Sequence, residues 1–101
     1  MMIAIACSNG NVHEDLASAP DFTIFELKGS DVVQQLPVAA SERRARPLSS
    51  LLNDYEVDLL ICGKVTLEEK RELFDAGIKL VSNVEGKIDP VLVRYLKGEL
   101  F

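Results

Sequence analysis

Apolar and polar positions follow two different rhythms in the two halves of this chain. Ile3 to Ala6 is a short apolar run that stops at Cys7-Ser8-Asn9-Gly10. It predicts a buried strand followed by a turn-rich loop. That loop is expected to continue to Pro20, which is long for a compact domain, and long ordered loops tend to carry function. Phe22 to Lys28 then alternates as Phe-Thr-Ile-Phe-Glu-Leu-Lys, Gly29-Ser30 supplies a tight turn, and Asp31 to Val38 reads as the return strand of a hairpin. Pro37 places that return strand at a sheet edge, because proline cannot donate to a ladder.

The second half is built on helical spacing. Leu48, Leu51, Leu52 and Tyr55 fall at i, i+3, i+4 and i+7 after Pro47, the stripe of an amphipathic helix. Asp58 to Gly63 is a continuous apolar run after its first residue, the mark of a strand covered on both faces. Thr66 and Glu69 have capping-box spacing, and Gly77 closes the helix that follows. Lys79 to Val84 predicts another short strand. Asp89-Pro90 opens a last helix with Val91, Leu92, Tyr95 and Leu96 on one face, ended by Gly98. The predicted order is β-β-β-α-β-α-β-α, an α/β fold with an antiparallel hairpin ahead of strand–helix units and helices covering a mixed sheet.

Composition narrows the function classes. The chain has 101 residues, which predicts one domain over residues 1–101 with a single core. Its net charge is −5, which argues against extended nucleic-acid binding or attachment to an anionic membrane. No apolar run approaches the roughly 20 residues of a membrane helix, and the start lacks the basic and long apolar regions of a signal peptide. Two cysteines are too few for a disulfide scaffold, so a reducing, cytoplasmic setting is expected.

In open α/β sheets, ligands bind beyond the carboxyl ends of the parallel strands. Two segments are expected there: the loop opening with Cys7, Ser8, Asn9 and Gly10, and the turn Cys62-Gly63-Lys64. If their strands are neighbours, Cys7 and Cys62 approach each other at one edge, with His13 and Asp15 in the adjoining loop. Thiolate, imidazole and carboxylate together make a candidate metal site. Against it stands the ordinary role of cysteine as a small buried hydrophobe. Arg43, Arg44 and Arg46 form the one concentrated basic segment, just before a helix start, and offer an alternative site for an anion or an acidic protein surface. A thiol-dependent redox role for the cysteines is a third reading. Enzymatic motifs are missing. Gly63-Lys64 lacks the phosphate-loop spacing, there is no Gly-x-Gly-x-x-Gly turn, Ser8 has no nucleophile-elbow context, and the first strand carries no carboxylate for two-metal chemistry.

The chain resembles the dinitrogenase iron–molybdenum cofactor biosynthesis domain family along nearly its whole length. Ile3 to Ala6 is similar to the family's first strand, and Ser8-Asn9-Gly10 to the small-residue loop after it. Val12, Ala19 and Phe22 keep the frame of the next segment. Val57-Asp58, Ile61-Cys62-Gly63, Ala76-Gly77-Ile78 and Tyr95 to Leu100 match later landmarks. The resemblance implies a ribonuclease-H-like fold, a mixed five-stranded sheet whose first three strands are antiparallel. It further implies a non-enzymatic module that holds or delivers an iron–sulfur-based cluster or iron. The departures fall on the site. Asp15 stands where the family usually has histidine, Leu16 replaces an aromatic residue, and Ala17 a glycine. His13 lies two residues early, and Gly63-Lys64-Val65-Thr66 replaces a glycine-rich turn.

Overall fold

A computed structural model describes residues 1–100. One mixed sheet organises them. Its strands are β1 (Met2–Ser8), β2 (Asn11–Val12), β3 (Asp21–Lys28), β4 (Asp31–Ala39), β5 (Leu59–Ile61) and β6 (Lys79–Val81). The helices are α1 (Leu48–Asp54), α2 (Leu67–Asp75) and α3 (Ile88–Leu96), and two 3-10 turns cover Leu16–Ser18 and Ala40–Arg43. The main path across the sheet is β4-β3-β1-β5-β6, with β2 paired to β1 off that path. β1 runs antiparallel to β3 and parallel to β5 in the register Ile3–Leu59, Ala4–Leu60 and Ile5–Ile61.

The central position of β1 explains its sequence. A strand paired on both sides and covered on both faces has no solvent side to make polar. Ala4 and Ala6 join Phe22, Ile24, Leu60 and Cys62 beneath α1 and α2, where Leu51, Leu52 and Leu73 complete one apolar layer. Ile3 and Ile5 join Phe25, Leu59 and Ile61 on the other face, under Val91 and Leu92 of α3. The edges are equally legible. Pro37 lies in β4, at one end of the strand order.

The expected architecture stands, with corrections to its details. The sheet has six strands rather than five, because the segment after β1 is not one loop. Asn9 (φ 52°) and Gly10 (φ 80°) both occupy the left-handed region, as a type I′ hairpin turn requires, and return the chain into β2. Cys7 and Ser8 are therefore strand residues. The strand expected over 79–84 ends at Val81, and the one expected over 58–63 is Leu59–Ile61. The last helix starts at Ile88 behind Lys87, so Pro90 sits within its first turn, where the missing amide costs no helical hydrogen bond. No helix among the described residues is long and apolar enough to cross a membrane.

Candidate functional site

The parallel strands β1, β5 and β6 bring their carboxyl ends to one side of the molecule, and main-chain hydrogen bonds stitch the following segments together there. Lys64 N donates to Glu14 O (2.7 Å), and Leu16 N donates to Lys64 O (3.0 Å). Asn83 N donates to Gly63 O (2.8 Å), Val12 N to Gly86 O (2.8 Å), and Ile88 N to Gly10 O (3.1 Å). Three connections thus share one hydrogen-bonded seam, which gives the loops a rigid base. A cleft of about 270 Å³ opens beside the seam, lined by Val12, Glu14, Gly63, Lys64, Asn83, Val84 and Glu85.

Gly63 has a steric role in this seam. A β-carbon there would overlap the main-chain oxygens of His13 and Glu14 and the carbonyl carbon of Glu14. The first connection lies directly on the α-carbon, so even alanine must push the two segments apart. Gly63 thus serves to let two backbones meet. Lys64, its neighbour, is exposed.

The structure separates the four residues offered as metal ligands. Side chains alternate across a strand. Cys7 follows Ile3 and Ile5 onto the α3 face, where its Sγ shares a hydrogen bond of 3.3 Å with Thr23 Oγ1. Cys62 belongs to the opposite layer with Ala6, Leu16 and Phe22. The two thiols lie near the same sheet edge but point to opposite faces, so they do not converge on one ion or form a disulfide. Burial, with the Glu69 charge as a smaller contribution, pushes the Cys62 thiol up to about 12. It is a neutral core side chain at physiological pH, so Cys62 offers no accessible thiolate for the redox reading.

His13 and Asp15 do reach the rim. His13 Nε2 shares a hydrogen bond of 3.1 Å with Ser18 Oγ, and Asp15 Oδ1 accepts from Ala17 N at 3.3 Å, capping the 3-10 turn. Both are half-buried. Among the described residues no three His, Cys, Asp or Glu side chains are gathered in a way that could hold a metal ion. Ser8, Asn9 and Gly10 form the end of β1 and the hairpin turn, at the seam but outside the cleft's lining.

The arginine loop is divided. Arg46 Nη1 pairs with Asp54 Oδ2 at 2.8 Å, and its Nε donates to Arg43 O at 3.1 Å. Arg43 and Arg44 stay exposed, and Arg44 and Ala45 both take left-handed conformations (φ 51° and 64°). Glu42 sits among them, accepting from Ala39 N and Tyr55 Oη, so the local positive charge is partly offset.

Glu14 lies between His13 and Asp15 in the loop expected at this edge, where an acidic pair beside the histidine could assist a hard cation, and it lines the cleft. Asn83 and Glu85 have no motif of their own and arrive there through the early end of β6. Asn83 takes a left-handed turn (φ 59°), a conformation asparagine tolerates, and offers only a weak sequence cue.

Comparison with known proteins places this geometry in a family. The family model described as dinitrogenase iron-molybdenum cofactor matches residues 1–98. Among solved structures, the crystal structure of PH0822 superposes with a TM-score of 0.91 at 20% identity, covering 100% of this chain and 93% of that one. The apo form of the orange protein from Desulfovibrio gigas gives 0.84 at 21%, covering 99% of this chain and 90% of that one. A protein of Methanocaldococcus jannaschii proposed to be a dinitrogenase gives 0.81 at 18%, covering 100% and 92%. Identities this low establish a shared fold and nothing finer. No curated protein sequence matches the chain significantly.

Proposed function

The chain belongs to the dinitrogenase iron-molybdenum cofactor family, and from that premise we propose that it is a non-enzymatic binding module for an iron-based cargo, an iron–sulfur cluster or iron itself. The cargo sits in the cleft at the carboxyl ends of β1, β5 and β6. The observation that carries this reading is the seam: three connections are tied by main-chain hydrogen bonds around a cleft lined by Glu14, Lys64, Asn83 and Glu85. A rigid base with charged side chains at its mouth suits holding and release. His13 and Asp15 stand on the adjoining rim as the nearest imidazole and carboxylate donors suited to iron.

Cys7 and Cys62 do not fit the usual thiolate attachment, because one is hydrogen-bonded to Thr23 and the other is neutral in the core. The cargo is therefore held from the rim. Two unpaired, buried thiols also suit a reducing, cytoplasmic setting.

The test is anaerobic incubation with ferrous iron and sulfide, then gel filtration, iron analysis and visible absorbance. The protein should elute coloured and iron-loaded, and should stay so in Cys7→Ala and Cys62→Ala. His13→Ala and Asp15→Ala should lower the iron content. A colourless, iron-free wild type would overturn the reading. Loss of iron from folded cysteine variants would return the ligand role to the thiols.

A second reading rests on one observation, the exposure of Arg43 and Arg44 beside a tethered Arg46. It makes this loop a contact for an anion or an acidic protein surface. Arg43→Glu with Arg44→Glu would then abolish partner binding while leaving iron uptake unchanged.

A further inference from the structure

The free edge of the sheet carries features that the carboxyl-end cleft does not use. β6 closes the strand order and pairs only with β5. Lys79 N donates to Asp58 O (3.0 Å), and Val81 O accepts from Cys62 N (2.9 Å). In a parallel ladder this alternation turns the main-chain groups of residues 79 and 81 toward β5 and those of Leu80 outward. An open edge of this kind is a template for another strand.

A groove of about 930 Å³ runs along this edge, with Leu80, Val81 and Ser82 among its lining residues. Phe74 and Asp75 of α2 flank it on one side, and Tyr95 of α3 on the other. Phe74 is the largest apolar residue of α2, yet it is 82% exposed, and Leu67 of the same helix is 65% exposed. The buried side of α2 holds Leu73. Leu67, Lys70, Arg71 and Phe74 fall at i, i+3, i+4 and i+7, so α2 carries a second stripe that faces away from the core. Lys70, Arg71 and Lys79 line the groove against a single carboxylate, Asp75. In a chain of net charge −5, this is a local reversal of sign.

We propose that the groove binds an extended acidic segment of a partner protein, which adds as a strand to β6 and lays an apolar side chain against Phe74. The Leu80 amide and carbonyl would supply the main-chain pairing, and Lys70, Arg71 and Lys79 the selection for acidic side chains. A second copy of this chain is a poorer occupant. An isologous pairing would bring two copies of this basic patch together across the two-fold axis. A small apolar ligand would leave the strand edge unpaired. The inference is independent of the iron-cargo reading, since it uses none of the cleft residues.

The experiment uses the full chain, labelled with nitrogen-15, and an end-blocked octapeptide alternating glutamate with valine and a central phenylalanine. Amide shifts should saturate at Leu80, Val81 and Phe74. Phe74→Ala, or Lys70→Glu combined with Lys79→Glu, should each weaken binding by about tenfold, the scale of one anchoring contact. The same peptide with lysine for glutamate should not bind. These side chains are exposed, and thermal unfolding verifies that the variants remain folded. The proposal is overturned if residues 79–82 do not shift at millimolar peptide. It is equally overturned if a backbone N-methylated peptide binds as well, which would reduce the contact to charge alone. Sedimentation showing a dimer that Phe74→Ala dissolves would assign the groove to a second copy instead.

Discussion

Gly63→Ala tests the seam that underlies the candidate site. The new methyl group would be driven into the main-chain oxygens of His13 and Glu14. Backbone cannot rotate away as a flexible side chain can, so the first connection must lift off the second. Overpacking of this kind costs about 1–3 kcal/mol. Lifting also strains two hydrogen bonds, Lys64 N to Glu14 O and Leu16 N to Lys64 O, each worth about 1 kcal/mol. The sum is a loss of roughly 3–5 kcal/mol, a large share of the 5–15 kcal/mol typical of a small domain. Urea unfolding would measure it, and hydrogen exchange at the Lys64 and Leu16 amides would locate it. Gly10→Ala is the contrasting control. A β-carbon at Gly10 meets nothing within 4 Å, but its φ of +80° is strained for alanine, so the loss should be about 1 kcal/mol without faster exchange at Lys64. A Gly63→Ala protein within about 0.5 kcal/mol of wild type, the scatter of a neutral surface change, would refute the role given to this glycine.

Alkaline stability should report the burial of Cys62. Its pKa rises from 9.0 in the unfolded chain to about 12 in the fold, so its contribution is intact below about pH 9 and is lost as pH climbs toward 12. The slope is about 1.4 kcal/mol per pH unit in that window. Tyr55 is shifted the same way, by burial first and then by its hydrogen bond to Glu42, so the readout is the difference in slope between wild type and Cys62→Ala. Equal slopes would contradict the assignment. Thr66→Ala removes the acceptor for Glu69 N in a reciprocal capping pair, and chemical denaturation should show a loss of about 1 kcal/mol. Asp54→Asn breaks the pair with Arg46, whose side chains are 44% and 53% exposed; thermal unfolding should register less than about 1 kcal/mol.

What the sequence made legible follows from which forces are local. The Phe22–Lys28 and Asp31–Val38 hairpin, the stripe of Leu48, Leu51 and Leu52, and the apolar run through Leu60 are written in periodicity, and they appear where expected. β2 was missed although Asn9-Gly10 is a strong hairpin signal, because a two-residue strand has no periodicity of its own. The family likeness was carried by ordered landmarks such as Ile61-Cys62-Gly63 and Ala76-Gly77-Ile78, and the match over residues 1–98 bears it out. The site was less legible. That Cys7 and Cys62 follow neighbouring strands is readable from the element order, but whether they face each other depends on the phase of two strands set by the β1–β5 register. One residue of phase separates a shared site from opposite faces. Gly63 is legible as part of the turn at the sheet's carboxyl edge, but that the chain's own backbone presses on it is visible only in the fold. Nothing local in the sequence marks Phe74 and Leu67 as exposed, because the spacing does not say that Leu73 holds the core-facing position.

The central claim, that an iron-based cargo is held at the carboxyl ends of β1, β5 and β6 without thiolate ligands, is tested most directly by where a bound paramagnet acts. Amide spectra of the nitrogen-15-labelled protein would be compared before and after anaerobic loading with ferrous iron and sulfide. Broadening confined to residues 13–15, 63–65 and 83–85, unchanged in a Cys7→Ala and Cys62→Ala double variant, is the predicted result. Broadening centred on Arg43 and Arg44 or on β6, or none at all, would contradict it.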